Sequence, residues 1–295
     1  MAQLKEIRSR IGSIQNTRQV TSAMKMVSAA KLKKSQDAIL QIRPYVSELN
    51  EIIHTLALDN SLCHTPYCSV PEVESILLVV IGSNRGLCGA FNSNIVKKAV
   101  VHLVGSYYRE FRTGKVSFIA VGKQVEKELK LAGITPIDTY HDLVDRWCDY
   151  SHASELSQRL MNLFKNNKFQ HIDLVHNVFK NAGIQVPTIE QFLPVLPPQK
   201  TVAIHRPINY LFEPNSDLIV EKLIPKVLKM NLFEVLLDSI ASEHGARMTA
   251  MHQATDNATE MIKDLKMKYN NARQAAITNE ILEITAGAEA LRNQH

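Results

Sequence analysis

The stretch most suggestive of chemistry is SNRGLCGAFN, residues 83–92, which directly follows the apolar run SILLVVIG. A β-branched run, then glycines, then a helix start is the order found in phosphate-binding loops. The Walker pattern needs a lysine followed by serine or threonine where Phe91 and Asn92 stand. The dinucleotide fingerprint fails as well, because its first two glycines must be separated by one residue. Anion binding at this helix start stays physically possible, but no cofactor is predicted.

Cys88 lies between two glycines of the same stretch and could be a nucleophile on a sharp turn. A thiol nucleophile needs a neighbouring base, and spacing alone places none of the 11 histidines beside Cys88. We therefore predict a tight strand-to-helix turn with no catalytic residue. Gly86 and Gly89 would permit close packing or positive φ, and Arg85 could make a protein contact.

The composition excludes several classes of protein. Four cysteines are scattered, as is usual for reduced intracellular thiols: Cys63, Cys68, Cys88 and Cys148. Cys63 and Cys68 with His64 could bind a metal, but no second pair stands at ligand spacing, so no metal site is expected. The net charge of +5 with 6% aromatic residues suggests an acidic partner rather than nucleic acid. The polar N-terminus resembles no signal peptide, and no apolar run reaches the ~20 residues of a membrane span.

Helix-breaking residues divide the chain into three parts. Eight of the 11 glycines lie between Gly82 and Gly183, no proline precedes Pro44, and none follows Pro225. The two ends therefore have long helical segments and the middle has many turns. We predict an N-terminal helical domain over 1–57, a central domain over 73–200 and a C-terminal helical domain over 209–295.

The N-terminal part has the period of a helix and a basic surface. Apolar and small residues continue one stripe: Leu4, Ile7, Ile11, Ile14, Thr21, Met24, Val27 and Ala30. Up to residue 40 there are eight basic residues and only two acidic ones, Glu6 and Asp37. This excess of positive charge favours contact with an acidic partner over a surface that is only solvated. Pro44 is expected to kink or interrupt this helix.

The C-terminal part carries a heptad seam. Its positions repeat with 3-4 spacing, which is typical of a coiled coil: Met248, Met251, Thr255, Ala258, Ile262, Leu265, Tyr269, Ala272 and Ala276. The simplest partner is the N-terminal helix, in an antiparallel coiled coil. The tip NEILEITAGAEAL is apolar on more than one face, so we expect an apolar socket on another protein. Arg273 and Gln274, near this tip, are predicted contacts with a surrounding protein.

The central part alternates β-branched runs at 75–82, 115–122 and 171–179 with helical patterns at 93–112, 123–132 and 152–167. This β-α-β-α order predicts a small, Rossmann-like α/β domain with a mostly parallel sheet. The fold class is therefore mixed: a long antiparallel coiled coil of the two terminal helices plus a central α/β domain.

Three ordered blocks resemble the γ subunit of F-type ATP synthases, the central rotor stalk. They are the segment 4–36, the stretch SNRGLCGAFN and the segment 242–291. The resemblance covers essentially the whole chain. In this family, Asp often stands at the position of Asn84, and Ala often stands at the position of Gly245.

The resemblance implies a non-catalytic subunit. Its coiled coil would turn inside a hexamer of three α and three β subunits and couple ion-driven rotation of the c-ring to ATP synthesis or hydrolysis. By resemblance, Arg273 and Gln274 match a contact with a β-subunit loop. Met24 and Lys25 match the region that faces the acidic lever of the β subunit.

The resemblance also implies the remaining partners. Tyr210 and Glu213 match the foot that docks on the c-ring, and the α/β domain would receive the ε subunit. Membrane contact is expected only through the c-ring, on the cytoplasmic side of a bacterial inner membrane, because no transit peptide is recognised. Two alternatives stay open: a small nucleotide- or thiol-dependent α/β enzyme with helical extensions, and a free-standing coiled-coil scaffold.

Overall fold

The computed structural model describes residues 2–58, 65–68, 74–144, 149–195 and 216–292. The chain begins with one helix, α1 (Ala2–Leu58), that continues through Pro44 without the predicted interruption. It ends with a second long helix, α6 (Ser216–Arg292), which contains Pro225. The long helices predicted at both ends of the chain are therefore present.

Between these helices lies an α/β region. Its elements in chain order are β1 (Ile76–Ile81), α2 (Phe91–Ser106), α3 (Tyr108–Arg112), β2 (Val116–Val121), α4 (Lys123–Leu131), β3 (Asp138–Tyr140), α5 (Tyr150–Lys165), β4 (His171–Asn181) and β5 (Ile184–Leu193). The five strands form one sheet in the order β3-β2-β1-β4-β5. All pairs are parallel except the β4–β5 hairpin. The mostly parallel sheet is thus confirmed, with β3 and β5 as additional edge strands.

The sheet is covered by helices on both faces, which explains why every residue of β1 is buried. Leu78 and Val80 point to the face packed by α2 and α4. Leu77 and Val79 point to the opposite face, where α5 and parts of α1 and α6 form the larger core. The single helix predicted over 93–112 is divided into α2 and α3 in the structure, because the chain leaves helical geometry at Tyr107.

The chain divides into two compact units. The first comprises Met1–Val27 with Met248–His295, and the second is Ser28–Arg247. In each unit the segments of α1 and α6 are antiparallel. Thr21 pairs with Thr255 and Lys25 with His252 in the first unit. In the second unit, Arg43 pairs with Asp238 and Asn50 with Asn231.

The α1 seam differs from the predicted stripe after Thr21. Val27 and Ala30 are exposed, whereas a 3-4 repeat of half-buried and buried residues, broken at the exposed Arg18, runs along the helix: Leu4, Ile7, Ile11, Ile14, Thr21, Lys25, Ser28, Leu32, Ser35, Ile39, Ile42, Val46, Leu49 and Ile53. The prediction missed this because small polar residues occupy seam positions, where their size allows close helix approach. On α6, every predicted seam residue from Met248 to Ala276 is buried or half-buried.

Candidate functional site

Residues 82–92, here called the glycine loop, connect β1 to α2 at the carboxyl edge of the sheet. A Cβ on Gly82 would lie 2.6 Å from Val125 Cγ2, so only glycine fits there. Gly122, which follows β2, has φ of +113°, and its Cβ would lie 2.8 Å from the Ser83 carbonyl oxygen. Two adjacent parallel strands therefore each need a glycine where they leave the sheet. The runs SILLVVIG and KVSFIAVG both end in glycine, and this shared ending is the sequence signal that Gly122 has the same role as Gly82.

Side chains of the glycine loop hold its backbone in place. The Ser83 amide donates to Asn92 Oδ1 at 3.0 Å, and Asn92 Nδ2 donates to Ser83 Oγ at 2.8 Å. Asn84 accepts from the Lys123 amide at 3.0 Å and donates to the His141 carbonyl at 2.6 Å. Asn84 therefore uses both ends of its amide, and a carboxylate could not make the donated bond.

The backbone of this loop is strained at one exposed residue. Gly89 has φ of +61°, which glycine adopts at little cost. Gly86 shows neither close packing nor positive φ, since a Cβ there would meet nothing within 4 Å. Leu87 instead takes φ of +61° and leaves 64% of its surface exposed. A non-glycine residue in this region costs about 1–3 kcal/mol and persists only when its surroundings impose it.

Arg247 of α6 imposes much of this conformation. Its Nη2 donates to the Arg85 carbonyl at 2.9 Å, and its Nε donates to the Gly86 carbonyl at 3.3 Å. The same guanidinium pairs with Glu243 Oε1 at 2.7 Å, and both side chains are buried. Helix α6 therefore fixes the two carbonyls that precede Leu87. The Arg85 and Leu87 side chains remain exposed, so the loop offers one cation and one apolar group to solvent.

The charges around Arg247 form a mainly positive environment. Burial raises the pKa of Glu243, and Arg247 opposes that shift. Burial and the neighbouring cations Arg247, Lys31 and Arg85 lower the pKa of His244 to about 3. His244 is thus neutral at pH 7 and can accept a hydrogen bond at Nδ1 from Arg247 Nη1, 3.3 Å away. The guanidinium has partners on several sides.

Cys88 has no base among its contacts. Its sulfur lies 3.4 Å from Asn92 Nδ2, 3.7 Å from Ser83 Oγ and 3.8 Å from the Arg85 carbonyl. Burial raises the pKa of its thiol, which disfavours the thiolate. No group of acidic, histidine and cysteine side chains in the described part of the chain is arranged to hold a metal. Cys63, His64 and Cys148 lie outside that part.

Two of the four predicted β-subunit contacts lie within the first unit's helix pair. Met24 and Lys25 are half-buried, and Lys25 Nζ lies 3.3 Å from His252 Nδ1. His252 Nδ1 in turn lies 3.3 Å from Asp256 Oδ2. Lys25 therefore occupies a seam position and reaches a polar group of α6, which orients its charge.

The other two, Arg273 and Gln274, are exposed on α6. Beyond them, the helix exposes large apolar side chains: Ile277, Ile281 and Ile284 share one face, and Leu282 lies on another. An exposed apolar surface of this kind is typical of an interface. Tyr210 and Glu213, the predicted foot, lie outside the described residues. Across the described ranges, no helix is both long and apolar enough to span a membrane.

Comparison with known proteins identifies the family. A family model described as ATP synthase matches residues 3–291. The ATP synthase gamma chain of Christiangramia forsetii is 48% identical over 99% of both chains. The chain belongs to the ATP synthase gamma-chain family. The gamma chain of Flavobacterium johnsoniae is 47% identical, again over 99% of both chains. The relationship therefore includes the glycine loop, both long helices and the sheet.

Chains of solved ATP synthase structures share this fold. A chain of the Euglena gracilis mitochondrial ATP synthase, solved as OSCP/F1/c-ring in rotational state 3, superposes with a TM-score of 0.66 and 19% identity. The match covers 98% of this chain and 95% of that one. A chain from the rotor of the same enzyme in rotational state 1 gives a TM-score of 0.63, 18% identity and coverage of 94% and 99%. At this identity the likeness establishes the architecture of two long helices and an α/β region.

Proposed function

We propose that this chain is the central-stalk rotor subunit of an F-type ATP synthase and is not itself catalytic. The observation that carries the proposal is its 48% identity to an ATP synthase gamma chain over 99% of both chains. In this proposal the antiparallel helices turn inside a hexamer of α and β subunits. Their asymmetric surface gives each β subunit a different contact, and rotation exchanges torque for differential nucleotide affinity.

The exposed tip of α6 supports the proposed seat inside the hexamer. Ile281 and Leu282 are 56% and 59% exposed, which is costly for a helix in water. A surrounding apolar sleeve would remove that surface from water while leaving rotation free, because apolar contact has no directional preference. Arg273 and Gln274 stand just before this surface, where side chains with several hydrogen-bond donors could contact a β-subunit loop.

The glycine loop is proposed as a second contact with the hexamer. It presents Arg85 and Leu87 on a backbone held by Arg247, so little entropy is lost when a partner binds. A cation beside an apolar side chain fits an acidic segment with apolar residues. Met24 and Lys25 would meet the acidic lever of the β subunit in the same way, with Lys25 oriented by His252.

The remaining assignments complete the rotor. Tyr210 and Glu213 are proposed to dock on the c-ring, and the α/β region is proposed to receive the ε subunit. Membrane contact would pass only through the c-ring, at the cytoplasmic face of a bacterial inner membrane. The domains would be an N-terminal helix over 1–57, the α/β domain over 73–200 and a C-terminal helix over 209–295.

Co-purification tests this assignment against the enzyme and scaffold alternatives. The chain, carrying an affinity tag, is isolated from detergent-solubilised membranes, and its partners are identified by mass spectrometry. We expect α, β and ε subunits and the c-ring in fixed proportions, together with ATP hydrolysis that depends on the complex. Recovery of the chain without α and β subunits would contradict the rotor function.

A further inference from the structure

A polar cavity of about 250 Å³ lies where α6 packs against α1 and the β4–β5 hairpin, within the second unit. Three carboxyl groups line it: Glu190 on β5, and Glu234 and Asp238 on α6. We call these three residues the carboxyl cluster. His176 of β4 lines the same cavity. Like charges this close to one another are unfavourable unless cations or protons balance them.

The cations around the cluster do not balance it. Within the described residues, its ion pairs involve Arg43 of α1 and His176. Arg43 Nη2 lies 3.4 Å from Asp238 Oδ1, and Arg43 Nε lies 3.5 Å from Glu234 Oε1. Both distances exceed the ~2.7–2.9 Å of a strong charged hydrogen bond. The Arg43 side chain is also 53% exposed, so water screens its charge.

His176 adds no positive charge at neutral pH. It is almost fully buried, and its Nε2 lies 3.6 Å from Glu190 Oε1. Burial lowers the pKa of His176 to about 4. When all three carboxyl groups are ionised, the cluster therefore has three negative charges and one partly screened positive charge.

Asp238 is the member of the cluster that binds a proton most readily. Its side chain is 10% exposed, against 23% for Glu234 and 51% for Glu190. Burial raises the pKa of Asp238 to about 6, Arg43 opposes the shift, and Glu234 adds to it. Burial and the charges of Glu234 and Asp238 also raise the pKa of Glu190, but solvent reaches that group more freely.

We propose that Asp238 takes up a proton as the pH falls from neutral to mildly acidic, and that this protonation tightens the packing of α6 against α1 and the sheet. A neutral Asp238 no longer repels Glu234 and Glu190 and gains a donor hydrogen. Arg43 then pairs with Glu234 alone. Protonation of the cluster would offset part of the loss of packing that charging of the buried His176 causes under acid conditions.

The direction of the pH effect follows from proton binding. Asp238 has a higher pKa when folded than when unfolded, so the packed state binds the proton more tightly. The contribution of Asp238 to the stability of this packing is lowest above neutral pH and rises as the pH falls through about 6. Buried His176, whose pKa is lowered to about 4, contributes in the opposite direction as the pH falls. With an unfolded value of 3.8, Asp238 alone increases the ratio of packed to opened α6 about tenfold between pH 7.5 and pH 5.

Hydrogen exchange of the full-length chain measures this ratio locally. Exchange of α6 peptides around residues 228–240 is followed by mass spectrometry between pH 5 and 7.5 and corrected for the intrinsic exchange rate. Between pH 7.5 and pH 5, local opening of Asp238→Asn should rise about tenfold relative to the unmodified chain, because only the unmodified chain gains the Asp238 proton. Glu260→Gln, which removes an exposed carboxyl from the same helix, should open as the unmodified chain does at both pH values. A ratio of opening between Asp238→Asn and the unmodified chain that does not change with pH overturns the proposal.

Two further variants test the electrostatic origin even if Asp238→Asn folds poorly. Glu234→Gln removes a neighbouring negative charge and should shift the midpoint of the Asp238-dependent pH effect downwards. Arg43→Gln removes the cation and should shift it upwards. If Asp238 had only a structural role, the two variants would not shift the midpoint in opposite directions. Shifts in the same direction, or no shift in either variant, would contradict the proposal.

Discussion

Replacing Arg247 by methionine should release the glycine loop and destabilise the chain. The substitution keeps an unbranched stem but removes the guanidinium and its two hydrogen bonds to the Arg85 and Gly86 carbonyls. It also leaves the buried carboxylate of Glu243 without its 2.7 Å partner. Breaking a buried ion pair from one side costs about 3–5 kcal/mol. We expect a loss of that size in the free energy of unfolding near pH 8.

The pH dependence distinguishes this mechanism from simple loss of packing. Burial already raises the pKa of Glu243 with Arg247 present, and without the cation it should rise further. A carboxyl group whose pKa is raised in the folded state destabilises the fold at pH values above that pKa. This destabilisation disappears as the pH falls through the pKa. The defect of Arg247→Met should therefore shrink on acidification.

Urea unfolding followed by circular dichroism measures the cost, and hydrogen exchange of peptides spanning 83–92 measures the release of the loop. The double variant Arg247→Met with Glu243→Gln should be more stable than the single variant, because no buried charge is left. Arg273→Met on the exposed surface of the same helix should change stability by less than about 0.5 kcal/mol. A cost below about 1 kcal/mol for Arg247→Met, or a double variant no better than the single one, would refute the reasoning.

Three further experiments test separate parts of the account. Gly122→Ala should lower the free energy of unfolding in urea by about 2–3 kcal/mol, because φ is +113° and the added Cβ would lie 2.8 Å from the Ser83 carbonyl oxygen. Gly86→Ala, where the added Cβ meets open space, should change it by less than about 0.5 kcal/mol. Equal costs for the two variants would contradict the steric argument. Ile281→Gln combined with Leu282→Gln should leave the isolated chain as stable as before but weaken its retention by the α and β subunits, measured by co-purification; unchanged retention would argue against an apolar sleeve. Cys88→Ala should keep ATP hydrolysis by the complex within about twofold, because the thiol has no base; loss of turnover would revive the thiol-enzyme alternative.

The helices and the parallel strands could be predicted because their signals are local and long. The 3-4 spacing from Met248 to Ala276 extends over four heptads, and SILLVVIG is apolar at nearly every position. The α1 seam was harder, since Ser28 and Ser35 occupy buried positions that hydrophobicity alone assigns to the surface. Strand β5 was missed because Pro187 and exposed glutamate and glutamine residues obscure its alternation, which an edge strand tolerates.

The contacts that shape the glycine loop could not be predicted from spacing. Arg247 lies more than 160 residues from the carbonyls it binds, and no local pattern links it to them. The positive φ at Leu87 was assigned instead to Gly86, because glycine is the residue expected there. No local pattern indicates the packing role of Gly245 either. A Cβ added there would lie 3.3 Å from Ala182 Cα, so glycine allows α6 to pack closely on the β4–β5 turn.

Rotation of the chain inside the assembled enzyme tests the central claim most directly. The α and β subunits are fixed to a surface, and a probe is attached through a cysteine introduced at the exposed Lys98, with the other accessible cysteines replaced. The rotor function predicts unidirectional rotation of the probe that starts with ATP and pauses three times per turn, once for each β subunit. ATP hydrolysis by a complex that retains this chain while the probe stays still would contradict it.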